Sequence, residues 1–405
     1  MISYPFTYEN LYRCYLNCRK NKRNKVNSLR FEINAEEELQ RLLEELTSGS
    51  YVPSQSTCFI TNKPKYREIF AADFRDRVLH HLLVSYFEPK WEKIFIYDSY
   101  ACRKGKGTHA AVKKLQSFMR KVSCNRTKTA WFLHIDIRSF FVSINKKILF
   151  EILTKKEKDE RITELIKIII FYDPTKNHIK KGQLSLFELI SPHKTLFNTN
   201  NKTGLPIGNY TSQFFANVYL NDLDQFVKHI LKCRFYIRYV DDLVLLHESK
   251  QVLQGWEKDV DSFLKKKLAL CLNWKRRKIA RVGNGCDFLG YIVQPTHLLA
   301  RRRTITNFTE KLNKYQSIIT KPWYRGTLFK ASPEELSKLE ATVASYEGQF
   351  RHAATFRLLN KIKKKYLFLR IYFKANRKNR MKLAKYPKFW FLNPHFPYKV
   401  MLLSF

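Results

Sequence analysis

The sequence predicts an α+β protein, in which short antiparallel strands carry the candidate functional residues and helices pack around them. Two strand-like runs rich in aromatic and aliphatic residues flank the pair Asp241-Asp242, a pattern typical of a β-hairpin with acidic residues at its tip. Elsewhere apolar residues recur at helical spacing, as over Leu39–Leu46. Hairpins and one-sided helices in the same chain indicate the α+β class.

The charge of the chain predicts a polyanionic partner. Its 405 residues include 75 Lys and Arg against 35 Asp and Glu, a formal net charge of +40 that is spread along the sequence. Nucleic acid fits best, because aromatic residues, 15% of the chain, can stack on bases beside phosphate contacts. An anionic membrane surface is the alternative, disfavoured because the sequence has no continuous basic amphipathic helix.

The remaining composition predicts a cytoplasmic protein with no membrane partner. No apolar run approaches the length of a membrane-spanning helix, and the N-terminus lacks the apolar region of a signal peptide. The eight cysteines include no C-x-x-C pair and no histidine at zinc spacing, which indicates a reducing compartment.

The first helix with a clear start signal follows Asn34. Asn34 and Glu37 have the spacing of a capping box, leucines form the apolar stripe, and Gly49 ends the helix. This helix is predicted to be scaffold.

A hairpin is predicted from Cys58 to Phe70, with its turn at residues 62–64. Lys65 and Arg67, two positions apart, would lie on one face of its second strand. Such a cationic face can hold a triphosphate, with Arg binding in bidentate fashion and Lys as a point charge. A solvated basic edge strand is the alternative interpretation. Asp73 then begins the next helix.

A second candidate acidic site is Asp136, which ends the apolar strand that begins at Trp131. Taken alone, an Asp at the end of a strand is more often a cap or turn residue. Beside the Asp241-Asp242 hairpin, however, its carboxylate can contribute to a site for two divalent ions. Mg²⁺ prefers a few carboxylates together with substrate phosphate oxygens.

Residues 173–203 are polar and contain several Pro, Asn and Thr residues, so they predict a long insertion or loop. Gly204 and Gly208 then flank Leu-Pro-Ile directly before a helix. Glycines there allow the backbone to approach a ligand closely.

The order of these motifs resembles the palm of reverse transcriptases. The resemblance rests on Asp136 with Phe141, on Leu205-Pro206-x-Gly208 and on Tyr239-x-Asp241-Asp242. The basic hairpin before them and the stretches 270–275 and 286–291 after them extend it to about residues 8–300. It implies a right-hand polymerase with fingers, a palm made of an antiparallel sheet plus helices, and an α-helical thumb.

The resemblance also implies a division of the chain. The N-terminal arm and fingers would occupy residues 1–135, the palm 136–300 with the insertion at about 173–203, the helical thumb 301–365, and a basic aromatic tail 366–405.

The same resemblance implies roles for individual residues. Asp136, Asp241 and Asp242 would be catalytic and would bind two Mg²⁺ ions, with Mn²⁺ as a possible substitute. The implied substrate-binding residues are Lys65, Arg67, Phe141, Pro206, Ile207, Gly208, Gln213 and Lys275. Phe141 would lie under the deoxyribose and exclude a 2′-hydroxyl, which makes the substrate a dNTP. Lys275 would be the acid near the leaving pyrophosphate, although Arg276 crowds the same position.

Ile207 narrows the resemblance further. Group II intron enzymes carry Gln at this position, whereas the stretch from Gly204 to Gln213 looks like the reverse transcriptases of diversity-generating retroelements. The implied function is error-prone synthesis of cDNA on a dedicated noncoding RNA in a bacterial cytoplasm, with an accessory protein or within an oligomeric ribonucleoprotein. An antiphage defence-associated reverse transcriptase shares the same palm and is the alternative. A non-catalytic RNA-binding subunit is a further one.

Overall fold

A computed structural model of the chain describes residues 5–20, 22–62, 65–155, 157–323, 326–375, 381–383 and 399–403. The chain folds into two compact units, the first formed by residues 1–111 and 131–280 and the second by residues 112–130 and 281–405. The predicted boundaries between fingers, palm, thumb and tail stay predictions.

The helices, in chain order, are α1 (Tyr8–Arg19), α2 (Val26–Ile33), α3 (Ala35–Ser48), α4 (Phe74–Trp91), α5 (Thr108–Val122), α6 (Phe140–Ser143), α7 (Lys146–Thr154), α8 (Glu160–Phe171), α9 (Tyr210–Tyr219), α10 (Asn221–Gln225), α11 (Lys250–Leu268), α12 (Arg302–Ile319), α13 (Pro333–Phe350), α14 (Phe356–Lys365) and α15 (Leu367–Tyr372). The strands are β1 (Ser56–Thr61), β2 (Arg67–Ala71), β3 (Trp131–Asp136), β4 (His178–Lys180), β5 (Phe235–Tyr239), β6 (Asp242–His247), β7 (Lys278–Arg281), β8 (Cys286–Phe288), β9 (Tyr291–Val293), β10 (Leu298–Ala300), β11 (Thr320–Trp323), β12 (Gly326–Ala331), β13 (Phe373–Ala375), β14 (Met381–Leu383) and β15 (Lys399–Leu403). Mixed helices and antiparallel sheets confirm the α+β class.

The first unit is built on a sheet with the strand order β5-β6-β3-β7. The middle of β6 is buried on both faces, because helices such as α11 pack against the sheet. A smaller sheet with the order β2-β1-β4 contains the predicted hairpin, in which β1 and β2 pair antiparallel. The large sheet carries the acidic residues, and the small sheet carries the basic ones.

Helix starts follow the sequence signals in most places. Asp73 accepts a hydrogen bond from the backbone N–H of Arg75 at the start of α4, and Asn145 caps α7 in the same way. Gly49 ends α3 in the left-handed conformation. The capping box predicted at Asn34 does not form, because α2 ends at Ile33 and leads directly into α3, which leaves Asn34 with a non-extended backbone.

The segment 173–203 is more ordered than the predicted loop. Its strand β4 pairs parallel with β1, with Ser56 opposite His178, and three short 3₁₀ helices follow at Leu184–Leu189, Pro192–Lys194 and Leu196–Asn198. Leu196 from this segment packs against Cys58 and Phe70 of the hairpin. The insertion therefore forms part of the small sheet.

The second unit has a helical core. Residues of α12, α13, α14 and α15 form one apolar cluster, which includes Phe308, Leu339 and Phe350. A capping box begins α13, since Ser332 and Glu335 exchange backbone and side-chain hydrogen bonds. Most of the basic tail, including Arg377, Lys378, Arg380, Lys385, Lys388 and Trp390, lies outside the described residues.

Among the described residues, no helix combines the length and the apolar character needed to cross a membrane.

Candidate active site

Asp241 lies in a two-residue turn at the tip of the β5-β6 hairpin. Tyr239 pairs with Asp242 in the ladder, so Val240 and Asp241 make the turn, one residue earlier than the predicted tip at Asp241-Asp242. Val240 has a φ of +54°, which is rare for a β-branched residue and requires support from its surroundings.

That support comes from Arg238, which is completely buried. Its Nη1 donates to the carbonyl oxygen of Val240 at 3.2 Å. Its Nε and Nη2 donate to both carboxylate oxygens of buried Asp224, at 2.6 to 3.0 Å. Asn217 and Tyr236 complete the network through further hydrogen bonds. Because each partner is buried and hydrogen-bonded, this network fixes the turn from behind.

The three candidate carboxylates lie on neighbouring strands, as predicted. Asp136 at the end of β3 is directly opposite Asp242 at the start of β6. The backbone N–H of Ile137 donates to the carbonyl oxygen of Asp241 at 3.2 Å. Burial and then repulsion by Asp136 and Asp242 raise the pKa of Asp241 to about 7. The site therefore has negative charge that the surrounding protein does not fully compensate.

Asp136 is held by Asn273, a residue for which the sequence predicted no individual role. Asn273 donates from its side chain to the Asp136 carboxylate at 2.9 Å and from its backbone to the Asp136 carbonyl at 2.7 Å. Burial raises the pKa of Asp136, the hydrogen bond from Asn273 opposes this, and Asp242 adds to it. A polar residue in the otherwise apolar run 270–274 was the signal available.

The cation beside Asp136 is Arg276, whose Nη1 lies 3.7 Å from the carboxylate. Lys275 is exposed at the neighbouring position, and its predicted role as an acid stays a prediction. A guanidinium does not release its proton near neutral pH, so Arg276 can stabilise negative charge but cannot act as that acid.

His134 is a further polar neighbour that sequence reasoning missed. Two residues before Asp136 on β3, it lies on the same face of the strand. Its Nε2 is 3.4 Å from Oδ1 of Asp242. Alternation along β3 was the signal that could have identified it.

The two predicted cations lie near these carboxylates, although not as two residues of one strand. β2 begins at Arg67, and Lys65 lies in the bend before it. Burial and the neighbouring charge of Arg276 lower the pKa of Lys65, whereas Asp136 opposes this shift. The positive charge of Arg67 also acts on Asp241. The predicted shared strand face is therefore wrong, but both side chains belong to the charged site.

The loop with Pro206 and Ile207 is attached to β2. The backbone N–H of Phe70 donates to the carbonyl oxygen of Ile207 at 2.9 Å. A Cβ on Gly208, whose φ is +129°, would lie 2.8 Å from the Phe70 carbonyl oxygen. Glycine is therefore needed here for the close approach of β2, and the predicted approach to a ligand stays a prediction. Pro206 and Ile207 are half-buried.

The other two predicted substrate residues flank this loop. Phe141 is half-buried against Phe140, and its carbonyl oxygen accepts from the N–H of Leu205 at 2.8 Å. Gln213 is exposed on α9, where it accepts from the thiol of Cys102 at 3.4 Å. Phe141 thus lies beside the Leu205-Pro206 backbone, while Gln213 points away from the core.

The donor set suits Mg²⁺. Within the described ranges no three His, Cys, Asp or Glu side chains converge closely enough to hold a metal ion by themselves. Mg²⁺ usually takes one or two carboxylates and completes its octahedron with water and substrate phosphates. Asp136, Asp241 and Asp242 supply carboxylates whose mutual repulsion a cation would relieve.

A family comparison agrees with this geometry. The sequence profile described as "Reverse transcriptase (RNA-dependent DNA polymerase)" matches residues 57–293, which include both hairpins and all three aspartates. The chain belongs to the reverse transcriptase family. Its enzyme class is RNA-directed DNA polymerase, and the RNA template and DNA product are those of the family.

Individual relatives share only a low sequence identity with this chain. Protein YkfC of Escherichia coli K12 is 25% identical over 313 residues, which are 69% of this chain and 75% of YkfC. The group II intron-encoded protein LtrA of Lactococcus lactis is 27% identical over 204 residues, which are 50% of this chain but only 30% of LtrA. This reverse transcriptase therefore aligns with most of one relative and less than a third of the other.

A solved structure of apo telomerase from Candida tropicalis, truncated from its C-terminal domain, covers 61% of this chain at 11% identity with a TM-score of 0.45; the match spans 55% of that telomerase chain. Sequence similarity thus extends to YkfC and to an intron-encoded protein. The diversity-generating subgroup stays a prediction.

Proposed function

We propose that this reverse transcriptase makes cDNA on a dedicated noncoding RNA by two-metal nucleotidyl transfer, with Asp136, Asp241 and Asp242 as its catalytic residues. The observation that supports this is the register of β3 and β6, in which Asp136 lies directly opposite Asp242, the neighbour of Asp241. Divalent cations bound there would activate the primer 3′-hydroxyl and neutralise the phosphates.

The residues around the carboxylates suit the other steps of this reaction. Lys65, Arg67 and Arg276 supply positive charge for the triphosphate and for the pyrophosphate that leaves when the 3′-oxygen attacks the α-phosphorus. Phe141 is the candidate that excludes a 2′-hydroxyl. The net charge of +40 suits a long RNA.

Primer extension with Mg²⁺ tests the catalytic assignment. Replacement of Asp241 and Asp242 by Asn removes negative charge without changing side-chain size, so dNTP incorporation is expected to disappear while RNA binding is retained. Asp222→Asn, an exposed aspartate on α10, is the control and should extend the primer normally. Continued synthesis by the double variant would contradict the assignment, and an inactive wild type with intact RNA binding would favour a non-catalytic RNA-binding subunit.

The finer proposal is that the copy is error-prone, as in a diversity-generating retroelement. Ile207 supports it, because an aliphatic side chain cannot form the hydrogen bond that a Gln would offer beside the incoming nucleotide. Ile207→Gln is expected to lower misincorporation opposite template adenine, whereas Ile207→Leu should leave it unchanged. An unaltered error spectrum in Ile207→Gln would indicate that Ile207 only packs.

The biological role needs the bound nucleic acid. Purification of the protein with its endogenous RNA and cDNA, followed by sequencing, separates the alternatives. Changes concentrated at template adenines support diversification, whereas a repetitive or homopolymeric product supports antiphage defence. An accessory protein, oligomeric assembly and a cytoplasmic location remain proposals, and co-purifying proteins in the same experiment test the first of them.

A further inference from the structure

Segment 173–203 is fastened to the basic hairpin at two places. Its strand β4 extends the small sheet, and the N–H of Lys181 donates to the carbonyl oxygen of Cys58 at 2.8 Å. At the other end, Leu196 is buried against Cys58 and Phe70. The segment thus covers one face of the β1-β2 hairpin and is held there by backbone bonds and apolar packing.

The second attachment also uses a buried carboxylate. Glu68 on β2 is buried and accepts from the hydroxyl of Thr195 at 2.5 Å and from the backbone N–H of Leu196 at 2.9 Å. Glu68 follows directly after Arg67, and Thr195 follows directly after Lys194. The Glu68 contact therefore fixes the backbone beside two cationic residues.

Lys194 joins the positive charges around Lys65. The charges of Arg276, Arg67 and Lys194 all lower the pKa of Lys65, after the larger effect of burial. The side chain of Lys194 is exposed to solvent. Lys194 is also the neighbour of Thr195, whose hydroxyl is bonded to Glu68 beside Arg67. Cationic residues from three separate parts of the chain thus act on Lys65, an arrangement that favours a multiply charged anion.

We propose that Lys194 is a further substrate-binding residue, which contacts the phosphates of the incoming dNTP together with Lys65 and Arg67. The inference rests on the proposed function. A triphosphate fits better than an RNA backbone, because it concentrates several charges within reach of Lys65 and of the carboxylates, whereas RNA offers one charge per nucleotide. Segment 173–203 then contributes directly to the nucleotide site.

The test compares Lys194→Ala with Lys176→Ala in primer extension. Lys176 is an exposed lysine of the same segment, but it lies before β4 at the Ser56 end of β1, away from Lys65. Loss of one exposed charge contact of about 1 kcal/mol corresponds to a rise of roughly fivefold in KM for dNTP. Lys194→Ala should show this rise with unchanged kcat, Lys176→Ala should not, and Lys194→Arg should restore the wild-type value.

A binding measurement separates the nucleotide from the template. With a primer that ends in a dideoxynucleotide, dNTP binding can be followed without chemistry, and Lys194→Ala should weaken it by the same factor while its affinity for RNA is unchanged. Equal KM values for the two Ala variants, or a loss confined to RNA affinity, would overturn the inference. Wild-type protein that does not extend a primer would instead contradict the proposed function.

A second variant changes Thr195, which donates a hydrogen bond to Glu68. Thr195→Val removes the hydroxyl that donates to Glu68 but keeps Lys194, so it should raise KM for dNTP by less than Lys194→Ala. Combined with Lys194→Ala it should add little, because the displaced cation is already absent. Full additivity of the two effects would show that Thr195 does not act through Lys194.

Discussion

The two hairpins of the first unit have opposite charge arrangements. In the β5-β6 hairpin the tip carries half-buried carboxylates, and the counter-charge, Arg238, is buried behind the turn with its own partner Asp224. In the β1-β2 hairpin the exposed end carries Lys65 and Arg67, and the carboxylate, Glu68, is buried and bonded to Thr195 and Leu196.

The comparison shows how a protein keeps functional charge available. Burial and the neighbouring carboxylates Asp136 and Asp242 raise the pKa of Asp241, and burial and neighbouring cations, Arg276 first, lower the pKa of Lys65. The two hairpins should differ in the free energy of unfolding that is lost when the buried group is replaced. The acidic hairpin buries a full ion pair, whereas the basic hairpin buries a single carboxylate.

The largest expected effect is on the buried ion pair. Arg238→Met leaves Asp224 buried without its partner, which should lower the free energy of unfolding by about 3–5 kcal/mol. Arg276→Met removes a half-exposed arginine that also neighbours an aspartate and should change it by less than about 1 kcal/mol. Chemical denaturation measures both variants, and similar values would show that burial does not distinguish the two pairs.

The next effect is a dependence of stability on pH. The folded-state pKa of Asp241 is about 7, above the ordinary value of an aspartate, so its contribution to stability is fully present below about pH 4 and is lost as pH rises through 7. In metal-free protein the free energy of unfolding should fall over this window, and the fall should be smaller in Asp241→Asn. Mg²⁺ at pH 8 should stabilise the wild type more than the variant; equal pH profiles would contradict the raised pKa.

A smaller loss is expected in the basic hairpin. Glu68→Ala leaves the buried N–H of Leu196 without its acceptor, which should cost about 1–3 kcal/mol. Glu68→Gln retains an acceptor oxygen and should cost less. If Glu68→Ala were as destabilising as Arg238→Met, the proposed difference between the hairpins would disappear.

The smallest effect separates Arg276 from Lys275. Arg276→Ala removes the cation next to Asp136 and should reduce kcat/KM by roughly tenfold, equivalent to about 1.4 kcal/mol. Lys275→Ala, the matched exposed neighbour, should change it less. The reverse order in steady-state primer extension would support the predicted role of Lys275 over that of Arg276.

Local sequence signals predicted the elements well. Alternating apolar residues identified strands, Asp73 a helix start and Gly49 a helix end, because these signals act within a few residues. The predictions that failed depended on residues outside the short stretch from which each was made. Asn34 lost its cap because the preceding helix runs up to it, and residues 173–203 looked like a loop because their partner, β1, lies more than 100 residues away.

The sequence by itself determined the reverse transcriptase family, since family motifs lie within short stretches of residues. It also predicted that Asp136, Asp241 and Asp242 are catalytic, since they belong to these motifs. Only the tertiary structure showed which residues support the site. Arg238 donates to the carbonyl oxygen of Val240 in the turn, Asn273 donates to the carboxylate of Asp136, and Thr195 donates to the carboxylate of Glu68. The tertiary structure also showed that Gly208 allows the close approach of β2. The physical reason is that charge compensation and close backbone packing depend on distances between segments far apart in the chain.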